Sequence, residues 1–307
     1  MMNTPPPDDD FHGHPPEALR DKDLRRVVSL VPSMTETLFD LNLGGRVVGV
    51  TDYCIHPADA LAGLPRIGGT KNPDIDAILA LAPDVVIANR EENRREDVLA
   101  LRERGVIVWV THPRTVPDAF NLLWLVMDTF NETSMVHRVR LIERQYDWVS
   151  GISQQREEQG GLLRVFCPIW SEPWMTFNAD TYAHDLLRVC GGLNVFAERE
   201  RQYPLAADLG EAEPLPADDR RVAGRDTRYP RVSLQEVIDA RPDVVLLPSE
   251  PFAFDETHIP IFKTLDIPAA HHDRIHPVDG SLLTWHGTRI AYALETLPAL
   301  LYPPEEV

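Results

Sequence analysis

Apolar residues recur at steps of three and four from Met135 through Val139, Ile142, Tyr146 and Val149 to Ile152, which places them on one helical face. Glu143, Arg144, Asp147, Gln154, Arg156 and Glu157 fill most of the remaining surface, Thr133 or Ser134 offers a starting cap, and Gly160-Gly161 offers a stop. The pattern predicts one uninterrupted helix over 131–160, preceded by a shorter one from about Pro117 to Phe130. About 25 residues at 1.5 Å each give a rod of roughly 37 Å, longer than one small domain needs.

Related patterns flank this helix. Asp76 to Ile87 and Gln235 to Leu246 each read as a short helix, a Pro-Asp pair and a β-branched apolar run. Proline disfavours helix in the residue before it, so a helix ends there and a buried, parallel-type strand begins. The repetition predicts an α/β fold of two Rossmann-like lobes joined by one long, rigid backbone helix. Its divisions are a disordered leader at 1–24, an N-terminal lobe at 25–130, the connecting helix at 131–160 and a C-terminal lobe at 161–307.

In the first lobe, Arg26–Val31 is a strand, and Ser33 and Glu36 have the spacing of a capping box. Val47–Val50 is a second strand, and the loop after its carboxyl end carries Asp52 and Tyr53. Open α/β sheets bind ligands at that edge. A further strand, Val106–Val110, leads into His112. In the second lobe, the strand Leu163–Cys167 precedes a proline-rich loop with Trp170 and Trp174, an aromatic pattern that predicts ligand contact. Residues 199–228 mix charges without periodicity and predict a long loop or insertion. Trp285 and His286 precede the final helix.

Charge and composition narrow the function. A net charge of −18 over 307 residues excludes nucleic acid and an anionic membrane surface as partners. No segment has the length and apolarity of a membrane span. Cys54, Cys167 and Cys190 form no Cys-x-x-Cys pair and predict neither a zinc site nor a disulfide framework. His271, His272, Asp273 and His276 are expected in a solvated surface loop. Arg66–Pro73 contains glycines but not the Gly-Lys-Ser/Thr ending of a phosphate loop, and no Gly-x-Ser-x-Gly, His-Glu-x-x-His or dinucleotide motif occurs. Binding without a catalytic cofactor is therefore expected. Residues 1–23 are rich in Pro, Asp and His and do not read as a secretory signal. The expected location is cytoplasmic as sequenced, or periplasmic or surface-anchored if the start is incomplete.

Several segments carry a family resemblance. They are Val28-Ser-Leu-Val-Pro-Ser-Met-Thr-Glu36, Gly49-Val-Thr-Asp-Tyr53 with Pro57 beyond, both Pro-Asp-Val-Val units, Cys190–Phe196 and Trp285–Arg289. In this order around one long helix, they resemble the helical-backbone substrate-binding proteins of ABC importers, most closely the cobalamin-binding members. The resemblance covers about 25–297 and implies a cleft between lobes in which aromatic residues grip a corrin ring.

Carried over by position, the aromatic grip is Tyr53, Trp170, Trp174, Tyr229 and Trp285. On physical grounds a flat macrocycle also needs a few polar groups at its rim, which Asp52, Asn89, Arg90, His112 and Arg289 offer. His112 or His286 offers an imidazole to a metal within the ligand. Asn89 stands where the cobalamin importers have Trp. Of the two acidic positions that meet permease arginines, Asp76 keeps the first, whereas the second is Gln235 with Glu236 beside it. Cys190 lacks the cysteine partner that relatives carry in the last helix, where Pro298 stands. The resemblance implies a non-enzymatic receptor for a corrinoid or similar metal chelate. A ferric-siderophore or haem receptor and a cytoplasmic chelate-modifying enzyme are the alternatives.

Overall fold

A computed structural model describes residues 13–303. Residues 1–12 of the expected leader lie outside the described residues. The chain divides into two compact units, Met1–Glu143 with Trp285–Ile290, and Arg144–Thr284 with Ala291–Val307.

In the first unit the apolar runs become β1 (Val27–Ser29), β2 (Val47–Val50), the small antiparallel hairpin of β3 (Gly68–Gly69) and β4 (Asn72–Pro73), β5 (Val85–Asn89) and β6 (Val108–Thr111). The longer strands pair in parallel in the order β2-β1-β5-β6. Their near-continuous apolar character follows from burial on both faces. One face packs Val28, Leu30, Val86, Ala88 and Val110 against Ile78, Val98 and Leu101 of the Ile75–Ala80 and Arg95–Glu103 helices.

The second unit repeats the plan with β7 (Leu163–Phe166), β8 (Gly192–Asn194), β9 (Val244–Pro248) and β10 (Ile275–Val278). All pairs are parallel, in the order β10-β9-β7-β8. Phe166, Val245, Leu247 and Phe262 lie at the centre of its core.

The repeated Pro-Asp pair has a structural cause in each unit. Asp84 Oδ2 accepts the backbone N–H groups of Arg25 and Arg26, both at 2.8 Å, and Asp243 Oδ2 accepts that of Arg164 at 2.8 Å. The arginine at the strand entrance answers by capping the preceding helix. Arg26 Nη2 donates to Leu81 O at 2.6 Å, and Arg164 Nη2 donates to Ala240 O at 2.8 Å. A left-handed residue, Ala82 or Arg241, precedes each proline. One carboxylate thus registers two strands while one guanidinium satisfies the helix end.

The long helix runs over Val136–Glu158, and the boundary between the units falls within it. It begins later than predicted because Asn131, at φ +50°, ends the turn that closes the Val116–Thr129 helix. Val139, Ile142 and Val149 are buried, and Tyr146 and Ile152 are half-buried. Gly160 at φ +70° stops it, with the Gly161 N–H donating to Arg156 O at 2.8 Å.

Three expectations are corrected. Ser33 and Glu36 do not form a capping box: the helix starts at Pro32, Ser33 is buried inside it, and the Glu36 carboxylate pairs with Arg289 at 2.9 Å. The leader is packed from Gly13 onward, with Leu19 and Leu24 buried and the Trp109 indole N–H donating to Gly13 O at 2.9 Å. Within the stretch expected as one C-terminal lobe, Trp285–Ile290 groups with the first unit. The physical reason is the Arg289–Glu36 pair and a hydrogen bond from the Thr288 N–H to Thr37 Oγ1 at 3.2 Å.

All three cysteines are buried and free. Around Cys190, a tyrosine holds the end of the chain. The Tyr302 hydroxyl donates toward Gly191 O at 2.8 Å and Gly161 O at 3.1 Å and accepts the Leu163 N–H at 3.2 Å. The Arg156 guanidinium lies 3.7 Å from the ring centre. Tyr302→Phe keeps the ring but strands a carbonyl and an N–H, so urea unfolding should show a loss of about 1–2 kcal/mol. An unchanged midpoint would remove this anchoring role.

Candidate ligand-binding surfaces

Each unit presents its strand-end loops at the carboxyl edge of a parallel sheet, where neighbouring loops diverge and leave room for a ligand. In the first unit, β2 leads to Asp52 and Tyr53, β5 to Asn89 and Arg90, and β6 to His112. Arg66 Nη1 donates to Thr51 O at 2.7 Å and Cys54 O at 2.8 Å and so fixes the first of these loops. Tyr53 is 62% exposed on it. Asp52 and Arg90 are also exposed, and His112 is half-buried with Nε2 3.6 Å from Glu91 Oε1.

Asn89 has a different setting. Its side chain is buried, its carbonyl accepts the Glu91 N–H at 2.8 Å, and its amide nitrogen lies 3.3 Å from both Thr111 Oγ1 and His286 Nε2. An amide NH2 can only donate, so it sets His286 Nε2 as an acceptor and leaves the proton on Nδ1. Burial, reinforced by His112 and opposed by Glu91, pushes the His286 pKa down to about 4. The imidazole is therefore neutral at pH 7. Trp285 is also buried, edge-on to His56 at 5.8 Å and with the Arg289 guanidinium 5.2 Å from its ring. Asn89, Trp285, His286 and Arg289 thus build the support beneath the exposed loops.

In the second unit, Trp170 follows β7 and is 45% exposed. It meets Phe252, which follows β9, edge-on at 5.5 Å. Since β7 and β9 are neighbours, and the connection from β7 runs to β8 on the other side, this pair stands at the topological switch point. Trp174 turns inward, stacked on Phe254 at 5.9 Å and edge-on to Phe262 at 5.1 Å within the core cluster. Tyr229 is half-buried with the Arg228 guanidinium 5.3 Å from its ring. Phe252 was not among the candidates read from sequence. The signal was present, because Pro248-Ser-Glu-Pro-Phe252 follows the second Pro-Asp strand as the Trp170 loop follows β7.

The candidate docking positions differ in availability. Asp76 is exposed, with Arg104 at 3.5 Å, and Gln235 is exposed and donates to Asp239 at 2.9 Å. Glu236 is engaged in a capping box with Ser233 and in a pair with Arg199 at 3.2 Å. His271 and His272 are exposed. Among the described residues, no group of three or more His, Cys, Asp or Glu could hold a metal ion, and no helix is long and apolar enough to cross a membrane.

Residues 27–116 match the periplasmic binding protein family. The chain is similar to the vitamin B12-binding protein of Vibrio cholerae, 27% identical over 185 residues that span 58% of this chain and 63% of that protein. The vitamin B12-binding protein of Yersinia pestis is 25% identical over 179 residues, 58% of this chain and 62% of that one. The match therefore covers less than two thirds of these relatives. Among solved structures, the periplasmic heme-binding protein RhuT from Roseiflexus superposes with a TM-score of 0.67 at 21% identity, over 91% of this chain and 98% of that one. The periplasmic vitamin B12-binding protein BtuF of Vibrio cholerae gives 0.66 at 19% identity, over 91% and 97%. These superpositions show a shared fold.

Proposed function

We propose that this protein is a non-enzymatic receptor for a flat metal chelate, first of all a corrinoid, acting as a substrate-binding protein. The observation that carries the reading is an exposed aromatic side chain at the strand ends of each unit, Tyr53 in the first and Trp170, backed by the half-buried Phe252, in the second. Macrocycles are held by aromatic faces with a few polar groups around them. Asp52, Arg90 and His112 supply those groups in the first unit. Similarity to the vitamin B12-binding proteins of Vibrio cholerae and Yersinia pestis supports a corrinoid over haem, although haem-binding proteins share the fold. An ABC permease is the proposed partner, met by Asp76 and by the weaker Gln235.

The test is a titration with cobalamin, cobinamide, haem and a ferric siderophore, followed by Trp fluorescence and visible absorption. Saturable one-to-one corrinoid binding is expected, weakened about tenfold in Trp170→Ala, the loss appropriate to one aromatic contact. Haem binding without corrinoid binding would transfer the assignment to haem. Silence from all four would end the chelate reading and leave the fold untouched.

A further inference from the structure

We propose that the Arg199–Arg231 stretch of the second unit carries a binding site for a phosphate group, formed by Arg201, Arg225 and Arg231 around Tyr203. This stretch reads in sequence as a loop, yet it is organised around Asp208, whose side chain is fully buried. One Asp208 oxygen accepts the Gln202 N–H and the other accepts the Arg231 N–H, both at 2.8 Å. Arg199 completes that carboxylate at 3.2 Å, reaches Glu236 at 3.2 Å, and donates to the carbonyls of Asp208 and Arg231. Those groups satisfy one another.

Arg201 and Arg231 do not share in this balance. Arg231 Nη1 stops 4.0 Å from Asp208 Oδ2, beyond hydrogen-bond length. Arg231 Nε and Nη1 and Arg201 Nε are buried with no acceptor among the described residues. Burial and then the neighbouring Arg201 charge hold the Arg231 pKa below its ordinary range, so the two guanidinium groups feel each other. The Tyr203 ring is contacted by both Arg201 and Arg225, whose guanidinium carbons lie 4.8 and 5.1 Å from its centre. Its hydroxyl is fixed by donation to Asp226 O at 2.7 Å.

Two neighbouring guanidinium groups with unmet N–H donors call for an acceptor that is anionic and offers several oxygens. A phosphate group does both, and guanidinium binds it through paired hydrogen bonds. The overall charge of −18 repels anions, so retention of one depends on such a local cluster. Arg231 is bridged to Met175, and Met175 to Trp170. The phosphate can therefore come free from solution or on a ligand seated at Trp170. The site itself stands apart from the chelate reading.

Calorimetric titration of the intact protein with inorganic phosphate at low ionic strength tests it. Saturable single-site binding is expected, weakened about tenfold in Arg201→Gln and Arg231→Gln and unchanged in Arg221→Gln, an exposed arginine held by Asp219. Arg225→Gln, at an exposed position, should also weaken binding and covers the case in which a buried substitution fails to fold. No saturable binding by the wild type, or equal weakening by Arg221→Gln, would overturn the site. Repeating the titration on cobalamin-saturated protein separates the sources. Loss of the phosphate signal assigns the site to a ligand-borne group, and its persistence assigns it to free phosphate. Both results uphold the site.

Discussion

Arg289→Met should lower stability by about 3–5 kcal/mol, the cost of leaving a buried charge without its partner. Glu36 and Arg289 are each about nine-tenths buried and meet at 2.9 Å. The thioether chain of methionine fills much of the volume of the arginine stem but offers no donor, so the Glu36 carboxylate must be protonated or draw in water. The loss should appear in urea unfolding and as faster amide exchange over residues 285–290. Adding Glu36→Leu removes the stranded carboxylate, and the double variant should recover much of the loss. A single variant within 1 kcal/mol of wild type would mean that the pair does not hold residues 285–290 to the first unit.

Lowering the pH from 7 to 4 should cost about 3 kcal/mol through His286 alone. In the unfolded chain this imidazole titrates near 6.5, whereas in the folded protein burial holds it to about 4. The unfolded state therefore binds the proton first. Its contribution is complete above pH 6.5 and is lost progressively as the pH falls through that window. The half-buried His184 and His276 are displaced in the same direction, so the informative quantity is the difference between wild type and His286→Gln. The variant should show the flatter pH dependence between 4 and 6.5. Parallel curves would mean that His286 is protonated or solvated in the folded state.

What could be read in advance follows from the range of each interaction. The two Pro-Asp segments were legible because helix stop, turn and strand start are local, and each repeats the same residue types in sequence. The face of the long helix was legible for the same reason. Ser33 and Glu36 misled because a local motif was fully present while the true partner of Glu36 lies 253 residues away. Leu19 and Leu24 are isolated apolar residues without periodicity, so their burial left no trace in the pattern. Asp208 is the opposite case: a buried carboxylate in a charged stretch looks like any surface acid until its arginines are in place. At the candidate site, loop position identified Tyr53 and Trp170, but composition could not distinguish an outward Trp170 from an inward Trp174. Nor could it show that Asn89 and His286 would share a hydrogen bond, since residues so far apart meet only through the fold.

The strap at Trp285–Ile290 has a consequence for how the protein is made. Chains fold as they emerge, with the amino-terminal part first. The second unit has its sheet and most of its helices within one continuous run, Arg144–Thr284. The first unit, although synthesised earlier, lacks Arg289 for Glu36 and His286 for Asn89 until the segment 285–290 has also left the ribosome. The half that is made first therefore waits for a segment made after the sheet of the other half, and a nascent chain arrested before residue 285 would leave the Glu36 carboxylate without the Arg289 guanidinium.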